Sequence, residues 1–252
     1  MGRLIRSEWL KLRTIWMGLF MLAGAVGYTI LQVVATMLTA GRVQGTFELS
    51  SSAGVRTVLG SPTRGFVFIA VLGILAMAGE FRHQTATATF LISPNRGRAV
   101  TAKLLLYALV GLAFAAVAVA VTLAIALPWL ALEHVHVAGF GHEVLLIVVG
   151  LLVSGALYGV LGVGVGALIR NQVAAVVAAV LWMTLADALL VGLVPVVGRW
   201  TPGGALAALS RAPVARGSTE YLPLWAGGLL LAAYGVALAV AGTRFVIRRD
   251  VT

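Results

Sequence analysis

Six apolar runs, each close to the length that crosses a bilayer, divide this chain, and no other property of the sequence restricts its fold as much. A spanning helix needs about 20 mainly apolar residues. The runs are Ile15–Leu38, Pro62–Phe81, Leu104–Leu127, Val144–Ile169, Val173–Val197 and Leu224–Ile247. The second reaches spanning length only if Ser61 caps the helix and Pro62 takes its first position, with Arg64 turned outward along its stem. The third has room to continue past Pro128 to Leu132. Composition agrees: 61% of the 252 residues are hydrophobic and 10% charged, against roughly 25% charged in a soluble domain. The expected fold is an all-α membrane protein, one transmembrane domain over residues 1–252.

The first run, 24 residues long, exceeds the apolar core of a secretory signal, about 7–15 residues, and reads as a retained helix. Before it, residues 2–14 carry Arg3, Arg6, Lys11 and Arg13, with Ile5, Trp9 and Leu12 on one helical face. This segment is read as an interfacial helix, or as a basic flank that fixes topology; the two readings are compatible.

The net charge of +10 is spread along the flanks of the apolar runs rather than gathered into a patch, so it carries no nucleic-acid signal. Of 18 Lys and Arg, 12 fall in one alternate set of segments: the N-terminus, residues 82–103, Arg170 and the C-terminus. The richer set is cytoplasmic by the positive-inside rule, which places both termini inside. With its Arg-rich, Ala- and Gly-rich composition, the chain is expected in a bacterial inner or plasma membrane.

The connections carry little chemistry. Residues 41–61 read as an irregular link. Residues 133–143 hold His134, His136, His142, Glu133 and Glu143, either an exposed polar tip or a metal or pH-sensing group. No metal site is assigned. Residues 198–221 contain an Ala/Leu stretch too short to span and suit a short re-entrant or interfacial element. Asp187, in the fifth run, is either an acid hydrogen-bonded within the bundle or a residue lining a path or carrying a proton. Gly155, Gly159, Gly162 and Gly166, and likewise Gly228, Gly235 and Gly242, recur at spacings that place them on one helix face for close packing, within the chain or against a second copy.

The chain lacks a G-x-x-x-x-G-K-[ST] phosphate loop, an H-E-x-x-H zinc motif and a G-x-S-x-G elbow, so no enzyme class is expected from motifs. It has no cysteine, which excludes disulfides and thiolate chemistry.

One polar, basic interruption stands out: residues 79–103, GEFRHQTATATFLISPNRGRAVTAK. Pro94 ends any helix that precedes it. Arg96, Arg98 and Lys103 then lead into the third run at headgroup level. A short helix lying on the membrane surface between two spans is the expected shape. Here the sequence resembles the permease subunits of type-2 ABC exporters. The resemblance rests on Glu80, Phe81, Arg82, His83 and Thr85, then Phe90, Leu91, Pro94, Arg96, Arg98 and Lys103, and on the 169–174 boundary followed by Trp182. It implies that residues 82–103 form a cytoplasmic coupling loop whose short helix, 85–92, docks on a separate ABC ATPase subunit. That partner would hold ATP and Mg, leaving this chain without a cofactor. It further implies a paired second permease copy, a homodimer in the simplest case, and ATP-driven export of an amphiphilic or hydrophobic cargo of drug, antibiotic or lipid-like type. The alternative reading is an ion-coupled carrier that uses Asp187.

Overall fold

The computed structural model describes residues 16–82, 96–135, 141–169, 171–214 and 219–249. The regular elements among these residues are all helices, with no strand. The order is α1 (Met17–Thr39), α2 (Ser52–Leu59), a 3₁₀ turn (Ser61–Gly65), α3 (Phe66–Arg82), α4 (Arg96–Leu132), α5 (Gly141–Leu168), α6 (Gln172–Leu181), a π turn (Trp182–Ala186), α7 (Asp187–Leu193), α8 (Pro195–Gly198), α9 (Pro202–Leu209) and α10 (Leu224–Arg249). Six stretches among the described residues are long and apolar enough to cross a membrane: 17–39, 52–79, 100–132, 141–168, 172–193 and 224–242. The expected interfacial helix at 2–14 lies outside the described residues.

Alternate spans run in opposite directions, giving the bundle two ends. The first holds the loops after α1 and after α4, α2, α8 and α9, and is called here the Glu143 end. The other holds the C-terminus of α3 and the N-terminus of α4.

Helix α5 is the axis of the bundle. It packs extensively on α3, α4 and α10, and its buried side chains include Ile147, Leu151, Tyr158, Leu161 and Val163. The glycines let these backbones approach. A Cβ on Gly155 would stand 2.7 Å from Gly111 O of α4, and one on Gly166 would stand 2.8 Å from Ile74 O of α3. Between them, Gly159 abuts the Tyr107 carbonyl and Gly162 the Ala70 carbonyl. The stripe thus turns from α4 to α3 as it descends α5. Because lipid tails are as apolar as Leu, such close contact supplies packing energy that hydrophobic burial cannot. The stripe of α10 also faces α5: Gly235 meets Val160, and Gly242 meets Ala167. Gly228 sits higher, 3.7 Å from Leu209 Cδ2 of α9 when given a Cβ.

Several sequence expectations change. The 41–61 link is not irregular throughout, because α2 occupies Ser52–Leu59 and is capped by Ser51, whose hydroxyl accepts from Gly54 N at 3.0 Å. The second span therefore starts well before Pro62. Ser61 does not cap it; its hydroxyl donates to Thr57 O at 3.3 Å. Pro62 lies inside the 3₁₀ turn that re-aims the chain between α2 and α3. Its missing N–H and the restriction it places on Ser61 suit a break there rather than a continuous helix.

The helix of the third span, α4, begins at Arg96 and passes through Pro128 to Leu132. Residues 96–103, expected as part of the connecting loop, are helical. Lys103 is 3% exposed and donates to Ala76 O of α3 at 3.4 Å.

The fourth span starts three residues early, at Gly141, so His142 and Glu143 belong to the first turn of α5 and not to a loop tip. The fifth ends at Leu193, short of Val197, where Val194 leaves helical geometry ahead of Pro195.

Candidate functional site

Two polar features occupy the Glu143 end, and both were assembled by tertiary contacts. The first is centred on Asp187. Along α6 the buried residues are Ala175 and Ala179. In an ordinary α-helix Asp187 would stand about 120° around the axis from Ala175, at about 100° per residue. The π turn at Trp182–Ala186 is wider and cancels part of that drift, so Asp187 still faces inward and is 4% exposed.

It meets the start of α9. A Cβ placed on Gly203 would lie 2.8 Å from Asp187 Cγ and 2.9 Å from Oδ2. Only glycine fits that position with the carboxyl where it is. Thr201 caps α9: its hydroxyl accepts from Gly204 N at 3.2 Å and donates to Gly198 O at 2.8 Å. Its one proton is thereby engaged. Thr201, Gly203 and Trp182 surround the carboxyl, yet neither Asp187 oxygen has a partner in hydrogen-bond geometry among the described residues. Nor does any described Lys, Arg or His pair with it. The positive end of the α9 dipole faces this carboxyl.

The element that covers Asp187 is itself secured. Tyr234 of α10 donates its hydroxyl to Trp200 O at 3.0 Å, and the Arg199 guanidinium lies 5.5 Å over the Trp200 ring. α9 buries Ala205, Ala208 and Leu209 against α5, α7 and α10. Gly150 of α5 abuts the Leu209 carbonyl.

The second feature is an ion cluster that sequence reading missed. Arg56 of α2 grips Glu143 with two bonds, Nε–Oε2 at 3.1 Å and Nη2–Oε1 at 2.6 Å. Arg211, just beyond α9, approaches the same Oε1 at 3.8 Å. These three residues tie α2, α5 and the α9 connection together. Arg211 has a left-handed backbone, φ 51°. No periodicity in the sequence links positions 56, 143 and 211.

The remaining expected site residues divide plainly. Glu80, Phe81 and Arg82 close α3, and Arg96 and Arg98 open α4. His83, Thr85, Phe90, Leu91 and Pro94 lie outside the described residues, as does His136. His134 and His142 are described, and no three or more His, Asp and Glu among the described residues are grouped so as to hold a metal ion.

No family model, curated protein or solved structure matches the chain.

Proposed function

We propose that the chain is the membrane-spanning permease subunit of an ATP-driven exporter of the type-2 ABC class, moving an amphiphilic or hydrophobic cargo outward. The observation that carries this reading is the motif of residues 80–103 in a chain that has six spanning helices and no phosphate loop of its own. Energy then comes from a cytoplasmic ATPase subunit, which holds ATP and Mg. The α3–α4 end faces the cytoplasm, and the Glu143 end faces out.

The arrangement of α3 and α4 supports a lever. Residues 83–95 join two helices that both pack on α5 through glycine contacts with little free space. A push on the connection is passed to α3 and α4 as rigid bodies, and their shift against α5 is felt at the Glu143 end. With α4 beginning at Arg96, the connection between the two helices runs over 83–95, and the docking helix of the sequence reading, 85–92, falls within it. A second permease copy completes the pathway.

The test is reconstitution with a soluble ATPase that carries a G-x-x-x-x-G-K-[ST] motif. The expected result is copurification and ATP-driven efflux. Leu91→Pro should abolish efflux while leaving membrane insertion intact. Export by the purified chain alone, driven by a proton gradient, would overturn the proposal. That outcome belongs to the second reading, an ion-coupled carrier, which the unpartnered carboxyl of Asp187 favours.

A further inference from the structure

A cavity of about 250 Å³ opens at the Glu143 end, lined by Thr36, Thr39 and Ala40 of the α1 terminus, Gly45, Thr46 and Phe47 of the following loop, Gly54 and Thr57 of α2, and Pro213. Its chemistry is one-sided. Three of the four lining threonines spend their protons on main-chain carbonyls. Thr39 donates to Ala35 O at 2.8 Å, Thr46 to Val43 O at 2.6 Å and Thr57 to Ala53 O at 2.8 Å. What these hydroxyls have left is lone pairs.

The α1 C-terminus adds the negative end of a helix dipole, with no basic residue in its last turn. None of the nine lining residues is charged. Arg42, two residues beyond Ala40, donates to Leu38 O at 3.4 Å. Leu38 stands about 160–200° round the helix from Thr36 and Ala40 at about 100° per residue, on the opposite face. Arg56 is turned away onto Glu143. Phe47 is the aromatic residue of the lining, and an aromatic face attracts a cation.

We propose that this cavity binds the protonated amine head of an amphiphile. An acceptor-rich, donor-poor and uncharged lining with one aromatic residue satisfies an ammonium group, which brings three donors and a positive charge. To a carboxylate or phosphate it offers no cation and, among its threonine hydroxyls, only that of Thr36. The volume suits a head group rather than a whole drug-sized molecule, whose pockets run about 300–1,000 Å³. The tail is left to the bilayer. This binding site stands apart from the transport reading, and only its identification with the cargo rests on that reading.

The test uses the purified full chain in a neutral maltoside micelle, without ATP or a partner, so that its failure leaves the exporter reading untouched. Binding of n-octylammonium is followed by calorimetry beside octanol, octanoate and octyltrimethylammonium. Octylammonium should bind saturably at one site. Octanol and octyltrimethylammonium should each bind about tenfold more weakly, the first lacking the charge and the second the N–H donors, and octanoate should show no binding. Ala40→Trp, which fills the cavity, should abolish binding. Thr39→Val with Thr46→Val should weaken it about tenfold. Thermal unfolding of each variant checks that it is folded. Unchanged affinity in folded Ala40→Trp, or octanoate binding as tightly as octylammonium, overturns the proposal. Equal binding of the trimethylated probe overturns the role given to the threonines.

Discussion

Arg56 and Glu143, 87 positions apart in the chain, meet in a two-pronged ion pair that fastens α2 to the first turn of α5. Both side chains keep a little under a third of their exposure, so solvent screens the pair and a value well below that of a buried bridge applies. A double-mutant cycle on Arg56→Ala and Glu143→Gln should give a coupling energy of about 1 kcal/mol, at the upper end for exposed pairs because the geometry is bidentate. A coupling indistinguishable from zero at low salt would show that the pair does not hold α2.

Gly203 and Asp187 should be coupled with a definite sign. Alanine is the better helix former by about 1 kcal/mol, yet its Cβ would press on Asp187 Cγ, and overpacking costs typically about 1–3 kcal/mol. Gly203→Ala alone should therefore lower the unfolding temperature. With Asp187→Ala in the background, the two nearest atoms are gone, and the same change should become neutral or stabilising. Destabilisation of equal size in both backgrounds would contradict the contact.

The glycines offer an internal control. Gly162→Ala should lower the unfolding temperature and increase protease sensitivity, because the new methyl meets the Ala70 backbone, which cannot rotate aside. Gly27→Ala and Gly192→Ala meet nothing within 4 Å and should be neutral or stabilising by up to about 1 kcal/mol. Gly235→Ala falls between, since it meets the end of the Val160 side chain.

Asp187→Asn separates the two transport readings. The amide keeps the shape of the carboxyl and removes its charge. ATP-driven efflux in the reconstituted complex should be retained within about twofold, which in free energy is less than the loss of one hydrogen bond. Loss of transport, together with loss of any pH dependence in its rate, would move the assignment to the ion-coupled carrier.

Much of the fold was legible because the bilayer demands it. A backbone in hydrocarbon must satisfy its own hydrogen bonds, so six apolar runs can only be six helices. The glycine spacings of 155–166 and 228–242 likewise announced close-packed faces. They did not say which neighbour each glycine meets, because a helix face is a local property and its partner is not. Helix boundaries were the weak point. The Ser51 cap was hidden in a Gly/Ser-rich stretch, and Pro62 drew the start of the second span to itself although α2 precedes it.

The candidate site was less legible. Asp187 was visible as an intramembrane acid. The π turn that orients it left no mark in the residue pattern, and neither did the glycine that lies against it.

Sequence alone determined the solvent of this protein, its helical class and the number of apolar crossings. All of these follow from the transfer cost of backbone and side chains taken one segment at a time. The tertiary structure decided what those segments enclose: the burial of Lys103 against Ala76, the pairing of Arg56 with Glu143, and the threonine cavity beside α1. Each depends on two or more distant segments arriving at one place. That arrival is fixed by the packing of the whole bundle around α5, which no single stretch of residues encodes.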